Sequence, residues 1–268
     1  FMLVQKLTEI PTNFLKNDMT MKLNSVLFIF LLGIFSLENG YSQSDDRPNI
    51  LWISVEDISS NLGCYGDSFA KTPVLDKLAE GGVRYTNAIA SSPVCAAARS
   101  AIITGMYASS QGTQHMRCKG RMPEGFKFYP QVMQEAGYFC SNNVKTDYNL
   151  SYPPEEIWDD LGNSAHWRNR KDKSQPFFSI FNLTNTHESC INSKEKHELK
   201  TKNLPKELRA DPSKLSLPPY FPDTPKVREL WARHYDNIAM MDILIENILK
   251  ELKEDGLAEN TIILYFSD

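Results

Sequence analysis

The sequence predicts an α/β fold, with a mostly parallel sheet between layers of helices. Two observations carry that reading. The short, nearly continuous apolar runs 48–55, 176–183 and 260–268 have the character of strands buried on both faces. Stretches with helical spacing alternate with them, at 72–80, 128–136 and about 226–254, and such alternation favours parallel strands joined by helical crossovers.

Taken in order, residues 1–20 show no clear pattern and read as a segment upstream of the native start. Residues 21–44 read as a secretory signal peptide. Lys22 supplies a positive head, Val26 to Leu37 an apolar stretch, and Gly40-Tyr41-Ser42 or Ser42-Gln43-Ser44 a small-residue cleavage site. The apolar stretch is too short to span a bilayer comfortably. The expectation is therefore an exported protein, periplasmic or extracellular, without a stable membrane anchor. Residues 47–268 form the folded part. A net charge of −4 gives no sign of a nucleic-acid partner. Five cysteines, Cys64, Cys95, Cys118, Cys140 and Cys190, leave one over in an exported chain, and zero, one or two disulfides are compatible with that count. No spacing among them resembles a zinc site.

The first strand, within 48–55, ends in Glu56-Asp57, and carboxylates at the carboxyl end of a central strand sit where open α/β sheets place their sites. A solvated helix start is the competing reading. Thr72-Pro73 opens a helix with Thr72 as N-cap and proline in the first turn, and Gly81-Gly82 stops it. A short strand is expected over 83–88. Then comes Cys95-Ala96-Ala97-Ala98-Arg99, running on to Thr104-Gly105. It reads as a loop that enters a helix, with Arg99 one turn along on the face of Cys95. A helix start favours an anion, and a guanidinium there can grip oxyanions. A buried structural cysteine is the plainer alternative. The stretch 106–117 reads as a polar loop holding His115. A helix over 128–136, a strand over 138–141, the polar run Asn142 to Asn149, and the strand 176–183 followed by His187 come next. Residues 193–225, rich in lysine, glutamate and proline, read as a long surface excursion. His166, His197 and His234 read as structural or solvated. Val227, Leu230, Trp231, Ile238, Met241, Ile245, Ile248 and Leu252 mark the core face of the long final helix.

Cys-Ala-Ala-Ala-Arg with its trailing Thr-Gly resembles the signature of the type I sulfatases, Cys-x-Pro-x-Arg or Cys-x-Ala-x-Arg. So do Asn-Ile-Leu-Trp-Ile-Ser-Val-Glu-Asp, Thr-Pro-x-Leu-Asp-x-Leu-Ala and Gly-x-x-Tyr-x-Asn-Ala, in the same order. The resemblance covers residues 48–268. It implies an alkaline-phosphatase-like sandwich and a sulfuric ester hydrolase whose nucleophile is Cα-formylglycine made from Cys95 by a maturation enzyme. It implies one calcium ion held by Glu56, Asp57, position 95 and Asp268. Catalytic roles fall on Cys95, Arg99, Lys145 and His187, and substrate contacts on His115 and Asp147. Three departures stand out: Ala97 for the commoner proline, Glu56 for the first opening aspartate, and Asp147 where the family carries histidine. The runs at 113–117 and 145–149 resemble the heparan N-sulfatase-like branch, which implies a sulfated carbohydrate as substrate. The family's next metal ligand and a later lysine fall beyond residue 268. The fold is accordingly expected to be C-terminally incomplete, with the last strand at an open edge. Two other readings remain at this stage: a phosphatase or phosphodiesterase of the same superfamily, with paired zinc ions, and an inactive sulfated-glycan-binding relic. The tyrosine-phosphatase loop is excluded because it needs five residues between cysteine and arginine, and this chain has three.

Overall fold

The structure is a computed structural model; it describes residues 2–5, 47–151 and 157–268. The signal-peptide segment 21–44 lies outside the described residues. In chain order the strands are β1 (Met2–Gln5), β2 (Asn49–Val55), β3 (Val83–Arg84), β4 (Phe139–Asn143), β5 (Asp160–Leu161), β6 (Phe177–Leu183) and β7 (Thr261–Ser267). The helices are α1 (Pro73–Glu80), α2 (Cys95–Thr104), α3 (Tyr129–Glu135), α4 (Ser189–Asn192), α5 (Lys194–Lys200) and α6 (Pro225–Glu254). The strands form one sheet in the order β3-β1-β7-β2-β6-β4-β5. From β7 to β5 every neighbouring pair is parallel, and β1 and β3 add an antiparallel margin.

The sheet is buried on both faces, which explains the near-continuous apolar runs. On β2, Leu51, Ile53 and Val55 face a core shared with Leu75 and Leu78 of α1 and Ile238, Met241 and Ile245 of α6. The alternate residues Ile50 and Trp52 face the other core, with Ile103 of α2, Phe178, Ile180 and Trp158. Ile53 is fully buried, and truncating such a side chain to alanine costs about 2–5 kcal/mol.

Parallel pairing also fixes where chemistry can be done. The carboxyl ends of β2, β4, β6 and β7 all open on one edge of the sheet, so Glu56-Asp57, the 144–149 loop, the 184–188 loop and Asp268 become neighbours.

Several expectations change. The strand expected over 83–88 shrinks to Val83–Arg84, because its side chains are exposed and only β1 pairs with it. Met2–Gln5, to which the sequence analysis gave no element, pairs with β7. In this chain the last strand is bonded on both sides, by β2 and by β1, and is not an open edge; cleavage at the expected site near residues 43–45 would remove β1 and leave that side of β7 unpaired. Residues 193–225 are not a bare excursion: they contain α5, and Leu204 and Leu215 are buried. Thr72 occupies the N-cap position of α1 but makes no cap bond to the helix. Instead Asp242 of α6 accepts from the N–H groups of Val74 and Leu75 at 3.0 and 2.9 Å. All five cysteines are free thiols. His166 bonds Glu251, His197 is buried beside Asp236, and His234 is buried against Trp231, in keeping with structural roles.

Candidate active site

Cys95 is the first residue of α2, and the preceding Val94 is extended and offers no side-chain cap. Ala96, Ala97 and Ala98 are nearly or fully buried, so the small run lets the helix start lie close under the sheet edge. Gly105, at φ 69°, ends the helix in the left-handed conformation that glycine adopts without penalty. The Cys95 thiol is buried and donates to Asp147 Oδ2 at 3.7 Å. Burial first, and then the negative fields of Asp147, Asp268 and Asp57, push its pKa up; only the Ala96 N–H pulls the other way. Such a thiol stays protonated at neutral pH, the opposite of an activated cysteine nucleophile.

The resemblance gives Arg99 a catalytic role beside position 95, and a guanidinium at a helix start can grip oxyanions. In the structure its fork is held by the protein. Nε donates to the Thr146 carbonyl at 2.7 Å and Nη2 to the Lys145 carbonyl at 2.7 Å. Nη1 reaches Asp268 Oδ2 at 3.2 Å and Ser54 Oγ at 3.4 Å, and the guanidinium stands 5.7 Å from the centre of the Tyr148 ring. Arg99 is thus a positioning residue. It ties helix α2 to the 145–146 backbone and to the tip of β7, and its ion pair with Asp268 is buried.

Lys145 extends its ammonium between two carboxylates, in contact with Glu56 and 3.9 Å from Asp268 Oδ2. Its loop bends sharply: Val144, Asp147 and Asn149 have φ of 85°, 47° and 55°. Asn142 holds the Lys145 carbonyl, and Asn182 holds both Asn142 Oδ1 and the Asn143 carbonyl. Sequence reasoning missed Asn142 and Asn182. Their signal was a polar residue inside or just after an otherwise apolar strand run.

Glu56 is buried, and its N–H donates to Thr186 Oγ1 at 3.2 Å. Asp57 is exposed, at φ 51°, and its Oδ2 accepts from the Glu188 N–H at 2.8 Å. That bond links the β2 tip to the loop carrying His187. The Ser189 N–H donates to His187 Nδ1 at 3.1 Å, so the neutral ring carries its proton on Nε2. His115 is exposed; Asn149 holds its carbonyl at 2.8 Å, and no side-chain contact joins it to Cys95. The structure therefore brings Cys95, Arg99, Lys145, Asp147, Glu56 and Asp268 together. Asp57 and His187 stand on the same rim, and His115 is attached through its backbone.

Among the described residues no three His, Cys, Asp or Glu side chains converge tightly enough to form a metal cluster by themselves. The donor chemistry nevertheless fits a hard divalent cation. Asp268 Oδ1 is buried with no hydrogen-bond partner, and Glu56 and Asp268 already share the Lys145 ammonium between them.

A mostly parallel sheet flanked by helices, with acid-bearing strand tips facing a helix headed by a buried cysteine, defines an alkaline-phosphatase-like α/β protein. The chain belongs to the Sulfatase family, whose sequence model matches residues 48–151 and 139–268. It is similar to an ulvan-active sulfatase of Formosa agariphila, 39% identical over 263 residues that cover 83% of this chain and 44% of that protein. The chain thus spans less than half the length of that curated relative. Among solved structures it resembles a 2-O GAG sulfatase, with a TM-score of 0.62 at 17% identity over 82% of this chain and 57% of that one. It also resembles the phosphonate monoester hydrolase of Agrobacterium radiobacter, with a TM-score of 0.58 at 16% identity over 82% and 62%. At these identities the structural likenesses speak for the fold alone.

Proposed function

We propose that this protein hydrolyses sulfate esters, or an N-sulfate, of a sulfated carbohydrate, through formylglycine made from Cys95 and with calcium at the strand tips. One observation carries the proposal: in a Sulfatase-family chain, a protonated, buried Cys95 heads an uncapped helix amid Arg99, Lys145, Asp147, Glu56 and Asp268. A thiol held neutral is a poor nucleophile, so the position makes chemical sense once the sulfur has been replaced. The relative's description as ulvan-active supports a polysaccharide substrate.

When present, the hydrated aldehyde supplies the attacking hydroxyl and the cation draws charge from the sulfuryl oxygens. The remaining chemistry belongs to the chain's own side chains. Glu56, Asp57 and Asp268 would hold the cation. Asp147, already the acceptor for the group at position 95, takes the nucleophile's proton in place of the family's histidine. Lys145 offers its ammonium to a sulfuryl oxygen as charge builds there. His187 presents Nε2–H to the leaving oxygen or nitrogen. Arg99 keeps Asp268 and the Lys145 backbone in register. His115, on the rim, contacts the sugar.

The test is mass spectrometry of the Cys95 peptide, with and without a co-expressed formylglycine-generating enzyme, alongside sulfate release from sulfated polysaccharide. Activity that follows the aldehyde supports the proposal, and a fully active protein with an unmodified thiol overturns it. Chelation should abolish sulfate release and calcium restore it. Faster turnover of a phosphate or phosphonate monoester would point to the other chemistry found on this fold. Export through the 21–44 segment is part of the same reading. It predicts a mature N-terminus near residues 43–45, read by N-terminal sequencing.

A further inference from the structure

Among the described residues five non-glycine positions have positive φ: Asp57, Arg117, Val144, Asp147 and Asn149. Four of them belong to the loops around Cys95, where an uncommon backbone conformation serves the site. Arg117, at φ 55°, is the fifth, and the chemistry proposed above gives it nothing to do. A bulky residue held in the left-handed region costs free energy and persists where its surroundings enforce it.

The surroundings here are the catalytic loop itself. Asn149, two residues beyond Asp147, donates through Nδ2 to the carbonyls of Thr113 and His115 at 3.0 and 2.8 Å. The Gly120 N–H returns a bond to the Asn149 carbonyl at 2.8 Å, and the Ser151 N–H bonds the Gly120 carbonyl at 3.0 Å. The 114–120 loop is thereby pinned at both ends on the segment that touches Cys95. Gly120 permits the closeness: a Cβ there would sit 2.4 Å from Thr113 Cγ2 and 3.3 Å from the Asn149 carbonyl. The loop carries Arg117 and Lys119, with Arg121 directly after it. All three are exposed, and none forms an ion pair with any described residue. Glu124 is the nearest acid along the chain.

Three cations without an ion pair among the described residues, on and directly after a loop fastened to the Asp147–Asn149 segment, suit a ligand with more than one negative charge. We propose that Arg117, with Lys119 and Arg121, forms a second anion-binding subsite. It takes a carboxylate or sulfate on the sugar next to the one that loses its sulfate. This rests on the sulfatase reading for its neighbour and sharpens it: the substrate is a polyanionic chain rather than an isolated sulfate ester. Exposed charges contribute modestly one by one, so the effect is additive and sensitive to salt.

The test compares Arg117→Gly, Arg117→Lys and Arg117→Ala/Lys119→Ala/Arg121→Ala with the parent protein. The substrates are a heparin tetrasaccharide and a small aryl sulfate. Arg117→Gly keeps the left-handed backbone and removes the charge, so it separates the two. The triple variant should raise KM for the tetrasaccharide about tenfold at low salt, with kcat nearly unchanged. Arg117→Gly should do part of this, and Arg117→Lys should largely restore KM. The aryl sulfate should show no difference, and the gap should narrow as salt rises. Equal KM for the tetrasaccharide in all variants, or equal losses on both substrates, overturns the subsite. If the parent releases sulfate from neither substrate, the sulfatase reading has failed. Calorimetric binding of the tetrasaccharide then decides the subsite alone: weaker binding by the triple variant supports it, and unchanged binding overturns it.

Discussion

Helices α1 and α2 both start at the edge of a buried core, and their N-termini are treated in opposite ways. At α1 the N–H groups of Val74 and Leu75 are closed off by the buried carboxylate of Asp242, reaching across from α6. At α2 no side chain caps the start, and a neutral thiol surrounded by carboxylates stands there instead. A helix N-terminus attracts an anion either way. At α1 a buried carboxylate accepts directly from the helix N–H groups and docks the helix on α6; at α2 no side chain accepts from the helix start, and the nearby carboxylates face the Cys95 thiol instead. The contrast separates a structural use of the helix start from a functional one.

The largest effect should come from the functional end. Cys95→Ala is expected to lower sulfate release by more than about a thousandfold while leaving the thermal midpoint within a few degrees, since only a small side chain is lost. Lys145→Ala should cost about a hundred- to a thousandfold in kcat. Near-normal turnover by either variant would break the contrast. Arg99 straddles the two roles. Its removal leaves buried Asp268 with only the more distant Lys145 ammonium and should lower stability by about 3 kcal/mol in denaturant titrations, in addition to abolishing activity. Arg99→Lys should not rescue, because one ammonium cannot hold two carbonyls and a carboxylate as the fork does.

The structural end should answer to pH. Burial raises the Asp242 pKa to about 6, despite the two N–H bonds that favour the charged form. Its folded value lies above its unfolded value, so the native state binds this proton more tightly. The stabilisation is present below pH 4 and is lost as pH rises towards 6, about 3 kcal/mol in all. Relative to Asp242→Asn, the parent should therefore lose stability across that window. Parallel stability curves for the two proteins would show that the carboxylate is not desolvated as described. The smallest effect concerns the unmodified thiol. With its pKa raised, Cys95 should alkylate more slowly at pH 8 than an ordinary exposed cysteine, and Asp147→Asn should quicken it by removing a negative neighbour.

Much of this was legible in advance. The apolar runs located β2, β6 and β7, and helical spacing located α1, α3 and α6, because a strand buried on both faces and a long amphipathic helix leave strong local patterns. The Cys95 to Arg99 spacing and the acids at the strand tips marked the candidate site. The short pieces were less visible. β5 and α4 span too few residues to leave a pattern, and Met2–Gln5 gains strand structure only from β7. Which partner a group takes was not legible at all. Thr72 looked like the cap of α1 until Asp242 arrived from 168 residues away. That the Arg99 fork would be held by the Lys145 and Thr146 carbonyls was not visible in the Cys95 to Arg99 spacing.

The sequence by itself determined the layers of the fold and the order of its long elements, because periodicity is a local property of the chain, and its motifs nominated the residues of the candidate site. Only the tertiary structure decided which carboxylates share a cation, which helix start stays open, and which loop is pinned beside Cys95. Those outcomes depend on parallel pairing that gathers four distant strand ends on one edge, and no window of sequence contains that pairing.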